Sequence, residues 1–272
     1  MEQELLSRIT LMTKNMRRRA LEMAWKAGNN GAHLGGGLSC MEIFAVLYGG
    51  IMNFQVADPN WMERDRFLAS KAHCVLAYYS ALCEVGFLSL EELDTFEQNG
   101  SFLAGHPTVD LTHGIEYGGG SLGMAFSVGV GMAWDAKQKK RNNRVFVLLG
   151  DGECDEGSNW EAFMAASQFN LGNLIVIIDQ NHLQYDGTTT EIMNLGNLSQ
   201  KLSSFNWEVM EVNGHNIQAL YEALSIPMQE NKPRVIIADT IKGKGVSFME
   251  GVREWHHGIL RREQYELAIK EI

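Results

Sequence analysis

The sequence predicts an α/β fold, a mostly parallel sheet of five or six strands flanked by helices. Short β-favouring runs appear at RFLAS (66–70), VFVLL (145–149), LIVIID (174–179), WEVMEV (207–212) and RVIIADT (234–240). Helical segments separate them, and that alternation is the signature of parallel strands joined by helical crossovers. The 272 residues, 45% apolar and 21% charged, suffice for a substantial core. We read them as one domain, 1–272, with a C-terminal extension from about Gly245.

Each element has a local cause. Apolar positions recur at helical spacing from Leu5 to Ala27 and stop at Gly28-Asn29-Asn30-Gly31, a helix stop. A glycine-rich loop through Gly37 is expected next. Ser39-Cys40-Met41-Glu42 has the capping-box pattern and opens a second helix on IFAVLY, and Ser89-Leu90-Glu91-Glu92 repeats the device. The run at 145–149 is followed by a helix capped by Ser158, with Glu161 three residues on, and the next strand ends at Asp179-Gln180-Asn181. Arg17 to Arg19 reads as a solvated helix face. No internal repeat, low-complexity tract or Pro-rich linker divides the chain.

A formal charge of −10 and a pI near 5.3 disfavour nucleic acid and anionic membrane surfaces as partners. Cys40, Cys74, Cys83 and Cys154 form no Cys-x-x-Cys pair and have no histidine at finger spacing, which argues for reduced thiols and a cytoplasmic setting. No apolar run reaches the roughly 18 residues of a membrane helix, and the first residues mix acids and bases where a secretory signal would be apolar.

The chemistry concentrates at VFVLLGDGECDEGSNWEAF (145–163), where glycines and carboxylates stand at the point a buried strand surfaces. One right-handed crossover brings the ends of the 145–149 and 174–179 strands to the same edge of the sheet, the edge at which open α/β sheets bind ligands. Gly150 and Gly152 let the backbone approach a phosphate and turn amides toward it. Asp151 and Asn181 offer hard oxygens to a cation such as Mg²⁺. Together they point to a metal-bridged diphosphate. Taken singly, Asp151 reads equally as a turn cap and Asn181 as a left-handed turn residue. A dinucleotide glycine pattern fails at Asp155, and a Walker loop lacks its Gly-Lys-Ser/Thr.

GDG at 150–152 followed by EGSNWEAFMAASQFNLGNLIVIIDQNHLQYDG resembles the thiamine diphosphate signature of the transketolase family. NGAHLGGGLS (30–39) resembles that family's His-Pro-Gly loop, and DRFLASKAHC (65–74) its Asp-Arg-Phe segment. GHPTVDLTHGIEYGGGSLGMAFSVGVGMA (105–133) resembles its Gly-His-Pro and Gly-Pro-Leu-Gly segments, and KGKGVSFMEGVREWHHG (242–258) its closing His-Gly segment. The resemblance implies a thiamine-diphosphate-binding fold and the diphosphate-binding subunit of a split transketolase. Such an enzyme moves a two-carbon ketol unit from a ketose, expected to be phosphorylated, to an aldose. The pyrimidine-binding and C-terminal domains would come from a second chain, in a heterotetramer.

Carried over position by position, the resemblance assigns Mg²⁺ (or Ca²⁺) to Asp151, Asn181 and the carbonyl of Leu183, and the diphosphate to Gly150, Gly152, Asn181 and His73. Gly120 and Leu122 fall where the family's backbone meets the aminopyrimidine ring. Glu156 matches an acidic residue that meets the activating glutamate across the subunit interface. His33, His73, His106 and His257 match active-site histidines, with roles in hydrogen bonding and in proton transfer near neutral pH. His256 competes with His257 for the last slot, and the glycine after His257 favours it. His113, His182 and His215 have weaker claims. Lys242 and Lys244, in a Gly-Lys-Gly repeat, could approach a phosphate, but solvated loop lysines are the commoner case. Leu34, Ser121 and Met124 depart from the family pattern, which bears on sugar specificity. Two other readings stay open: the α chain of a 2-oxo acid dehydrogenase, and a catalytically idle interaction subunit.

Overall fold

The computed structural model describes residues 1–272. Five strands, β1 (Arg66–Ala69), β2 (Val145–Gly150), β3 (Leu174–Gln180), β4 (Glu208–Asn213) and β5 (Arg234–Asp239), form one sheet in the order β1-β2-β3-β5-β4. Every pairing is parallel, with Ala69 opposite Leu148, Gly150 opposite Asp179 and Gln180 opposite Asp239. All five runs read from the sequence are strands.

Alternate residues of these strands point to opposite faces, and each face has its own core. Phe67, Phe146, Leu148, Ile175, Ile177 and Ile236 join the core built with the helices Gln3–Lys26, Met41–Val46 and Val75–Glu84. Leu68, Val145, Val147, Leu149, Val176, Ile178 and Val235 face the helices Ala125–Gln138 and Gly157–Gln168. Burial on both sides explains why β2 and β3 are apolar without a polar alternation. The edge strand β4 is only half-buried, and its sequence mixes apolar with polar residues. The segment beyond Gly245 packs back on the start of the chain. Ala32 bridges to Gly258, and Tyr265 stacks on Trp25 with ring centres 4.8 Å apart.

Several local expectations need correction. The glycine-rich stretch is a buried helix, Leu34–Leu38, and its glycines are there for close packing. A Cβ on Gly36 would lie 2.7 Å from His73 Cδ2, and one on Gly37 2.9 Å from Leu76 Cβ. The Ser89 capping box forms, but the one at Ser39 does not. Ser39 Oγ instead donates to Asp179 Oδ2 at 2.6 Å, and Glu42 accepts from Arg17 at 2.7 Å. Ser158 lies inside its helix and donates to the Gly123 carbonyl at 2.7 Å. Of the three arginines only Arg18 is exposed, because Arg17 pairs with Glu42 and Arg19 with Glu84.

The Arg17–Glu42 pair makes a pH-dependent contribution. Burial raises the Glu42 carboxyl, but the His215 hydrogen bond and the Arg17 guanidinium outweigh it and hold the group below the usual carboxylate value. A carboxyl whose folded value is depressed stabilises the fold above its unfolded value, and that stabilisation fades as pH falls through the folded one. Arg17→Met should therefore cost on the order of 3 kcal/mol at pH 7. Urea titrations should show the difference from wild type shrinking below about pH 4. A deficit independent of pH would assign the loss to packing alone.

Candidate active site

Four of the five strands deliver a part of one polar cavity at their carboxyl ends. Lys71 and His73 follow β1, Asp151 to Glu153 follow β2, Asn181 to Tyr185 follow β3 and Lys242 follows β5. With His33, His106, Gly120, Leu122 and His256 from the flanking segments they enclose about 290 Å³. This is the edge the crossover argument selects. A wider cavity of about 640 Å³ lies outside the Ala125–Gln138 helix, but its Arg64, Arg66 and Arg141 are taken up by Glu116 and Asp135. Asn143 Oδ1 is unpartnered there, but the titratable groups from four strand ends gather in the smaller cavity, which carries the chemistry.

The acidic wall is built around Asp151. Its Oδ1 accepts from the Gly152 amide at 2.9 Å and its Oδ2 from the His182 amide at 2.6 Å, which ties the end of β2 to the turn after β3. Asn181 Oδ1 caps the same turn by accepting from the Leu183 amide at 3.2 Å. His182 holds the left-handed position, φ 64°, so the turn role foreseen for Asn181 belongs to its neighbour. Burial and then the nearby Asp179 push the Asp151 carboxyl up to about 6. A Cβ at Gly152 would stand 2.7 Å from Gln184 Cγ, so any other residue there would displace the Gln184 side chain.

Beneath this wall lies a buried ion pair. Lys71 Nζ donates to Asp179 Oδ2, to the Gly36 carbonyl at 2.8 Å and to Ser39 Oγ at 3.1 Å. Thr240 donates to the other Asp179 oxygen. Glu153 plays a parallel part on the far side, accepting from Ser70 Oγ, from the Gly123 amide at 2.9 Å and from the Gly150 amide at 3.1 Å. Neither Lys71 nor Glu153 was legible as a site residue. Lysine burial depends on an aspartate 108 positions away, and Glu153 reads as one acid in a charged run. Lys242 overturns its reading as a solvated lysine, since it is 2% exposed and donates to the carbonyls of Leu183 at 2.9 Å and Gln184 at 3.3 Å.

The histidines gather on the opposite wall. His33 stands 4.5 Å from His257, 5.1 Å from His106 and 5.6 Å from both His73 and His256, ring centre to ring centre. His256 is the one on the cavity wall, with Nδ1 3.0 Å from Lys242 Nζ, while His257 packs behind His33 against Gly31. The preference for His257 over His256 is thus not supported by the cavity, although both belong to the cluster. For His33, His73 and His106 the surroundings work against the charged form expected near neutral pH. Burial and the neighbouring imidazoles lower His33 to about 3; burial and Lys242 lower His256 to about 4. His73 and His106 shift down for the same first cause. His33 Nδ1 is buried with no hydrogen-bond partner.

Glu156 lies outside this cavity, exposed at the start of the Gly157–Gln168 helix, with its Cβ and Cγ against Gly123. His113 is held by Asp110 and Glu92, and His215 by Glu42, both away from the cavity. His182 borders Asp151 through its backbone while its ring pairs with the exposed Asp239.

Residues 10–271 match the family model described as transketolase, thiamine diphosphate binding domain. The chain belongs to the transketolase family. It is 44% identical over 265 residues to one of the subunits of the apulose-4-phosphate transketolase of Phocaeicola vulgatus, covering 97% of this chain and 93% of that one. It is 39% identical to the 6-deoxy-6-sulfo-D-fructose transketolase subunit of a Clostridium species, covering 94% and 93% of the two chains. Among solved structures, the transketolase of Campylobacter jejuni superposes with a TM-score of 0.90 at 30% identity. That match takes in all of this chain but only 43% of the Campylobacter enzyme.

The lining of the cavity suits a polar, phosphate-bearing cofactor. A carboxylate raised by burial and then by a like charge, an orphaned imidazole nitrogen and a glycine floor closely covered by Gln184 suit a polar ligand. The Lys71–Asp179 pair is the scaffold under that floor. Lys71→Met would leave Asp179 buried without its cation and should destabilise the chain by about 3–5 kcal/mol. Chemical denaturation tests this, and a loss under 1 kcal/mol would remove the pair from its structural role.

Proposed function

We propose that this chain is the diphosphate-binding subunit of a two-chain transketolase, transferring a two-carbon ketol unit from a phosphorylated ketose to an aldose. The observation that carries the reading is the convergence of Asp151, Gly152 and Asn181 with His33, His73 and His106 on one cavity at the carboxyl edge of the sheet. Thiamine diphosphate, when bound, supplies the electron sink for carbon–carbon bond cleavage.

The residues of this chain hold and surround it. Asp151, Asn181 and the Leu183 carbonyl would ligate Mg²⁺, or Ca²⁺, an oxygen set of the hardness such cations take. The cation would also lower the Asp151 carboxyl that burial raises. Gly150 and Gly152 bring amides to the diphosphate, with His73 beside them, and Gly120 and Leu122 form the rim toward the aminopyrimidine. Lys242, lowered to about 8 first by burial and then by Lys71, adds positive charge to that wall. His33, His106, and His256 or His257 meet the sugar, their imidazoles able to donate and accept hydrogen bonds with its hydroxyls and to move a proton.

The two-chain arrangement has its own support. The Phocaeicola and Clostridium relatives span about this length and are named as subunits, whereas the Campylobacter transketolase is more than twice as long. Met124, Val128 and Trp134, with Met164 of the Gly157–Gln168 helix, are exposed large apolar side chains, and Met124 follows Gly123, on which Glu156 packs. A companion subunit bearing the pyrimidine-binding domain would cover that face and meet Glu156, in a cytoplasmic heterotetramer. The whole of this chain then acts as one cofactor-binding domain. An idle subunit would have no need of the Asp151–Asn181 oxygen set.

Two measurements test the reading. Asp151→Ala should abolish Mg²⁺-dependent thiamine diphosphate binding by calorimetry on the assembled enzyme, and undiminished binding would remove the site assignment. The chain alone should show no ketol transfer in a coupled assay, with activity appearing on addition of the companion subunit. Full activity from the chain alone would contradict the two-chain reading.

A further inference from the structure

His215 is one buried-side histidine that the cavity does not use, yet it is bonded to the segment that carries Lys242. It follows β4, where Gly214 donates to the Asp239 carbonyl at 2.7 Å and lies so close to Thr240 that a side chain there would collide with it. The Ile241 amide donates to His215 Nε2 at 2.8 Å. A backbone N–H can only donate, so Nε2 is the acceptor and the ring proton resides on Nδ1. That proton is donated to Glu42 Oε2 at 3.0 Å, and the other Glu42 oxygen accepts from Arg17 Nη2 at 2.7 Å. Arg17 Nε then donates to the Lys244 carbonyl at 3.1 Å.

The frame therefore closes on both sides of one residue. Ile241 N–H and Lys244 C=O, the two groups it grips, flank Lys242, whose ammonium reaches through to the Leu183 and Gln184 carbonyls and to His256. We propose that His215, oriented by Glu42 and Arg17, is a positioning residue that sets the backbone register from which Lys242 enters the cavity. This rests on the reading of that cavity as the cofactor site. A frame behind the backbone is needed because lysine has four rotatable side-chain bonds and loses much entropy when its ammonium is fixed. Fixing its peptide first reduces that cost, and Gly243, whose amide donates to the Gly35 carbonyl at 3.0 Å, adds a third anchor.

Asparagine and glutamine separate the two bonds of the ring, because the Asn amide nitrogen falls near the place of Nδ1 and a Gln amide oxygen near that of Nε2. His215→Asn keeps the donor to Glu42 and loses the acceptor for Ile241; His215→Gln does the reverse. Two readouts on the full chain follow the segment directly: amide hydrogen exchange over residues 241–245, and the rate of Lys242 acylation mapped by peptide mass. His215→Asn should speed both about tenfold, the size of one lost hydrogen bond, while His215→Gln stays near wild type. The opposite order, or equal effects of both, would assign His215 to neutralising Glu42 and overturn the proposal. His215→Ala serves as the loss variant should His215→Asn not fold. Separately, thiamine diphosphate with Mg²⁺ should slow Lys242 acylation in the wild-type chain. If it does not, the cofactor reading fails while the comparison of variants still decides the role of His215.

Discussion

A lysine and an aspartate buried together at the carboxyl edge of the sheet hold the rest of the site in place. Asp179, next to last in β3, receives Lys71 from behind β1, Ser39 from the end of the glycine-rich helix and Thr240 from behind β5. Removing two charges from water costs several kcal/mol for each ion, and the cost is offset only when the geometry and the remaining hydrogen bonds are satisfied. Here both Asp179 oxygens are bonded, and Lys71 also has the Gly36 carbonyl and Ser39. The pair is thus a constraint on four chain segments at once. Those segments carry His73, Asn181, Lys242 and the His33 helix.

The same edge explains the electrostatics of the cavity. Lys71 pairs with Asp179, but Asp151 has no cation of its own, and burial and then the nearby Asp179 raise its carboxyl more than its two amide partners lower it. Across the cavity, imidazoles crowd one another and lose their charged forms to burial. A site with an under-compensated carboxylate on one wall and neutral imidazoles on the other suits a ligand that brings a cation, phosphates and sugar hydroxyls together. That ligand set is what a metal-bound diphosphate cofactor and its sugar present.

Much of this was legible in the sequence. The strands announced themselves because parallel strands buried on both faces need unbroken β-branched and aliphatic runs, as VFVLL and LIVIID provide. The Gly-Asp-Gly turn and Asn181 were legible because the crossover length fixes where two strand ends meet. Capping boxes were read correctly only at Ser89, which is exposed. At Ser39 and Ser158 a distant acceptor, Asp179 or the Gly123 carbonyl, takes the hydroxyl, and tertiary bonding overrides the local pattern. Lys71, Lys242 and the His215 frame escaped for a related reason. A buried charge is defined by partners far along the chain, and no local pattern records them.

The central claim is that the Lys71–Asp179 pair presents a cavity already shaped for its cofactor. The most direct measurement is a pair of crystal structures of the chain, one without ligand and one with thiamine diphosphate and Mg²⁺. The account predicts metal density at Asp151, Asn181 and the Leu183 carbonyl, diphosphate over Gly150 to Gly152, and backbone shifts under about 1 Å at residues 36–39, 71, 179 and 240. Cofactor bound elsewhere, or those four segments rearranging by more than about 2 Å to receive it, would contradict the claim.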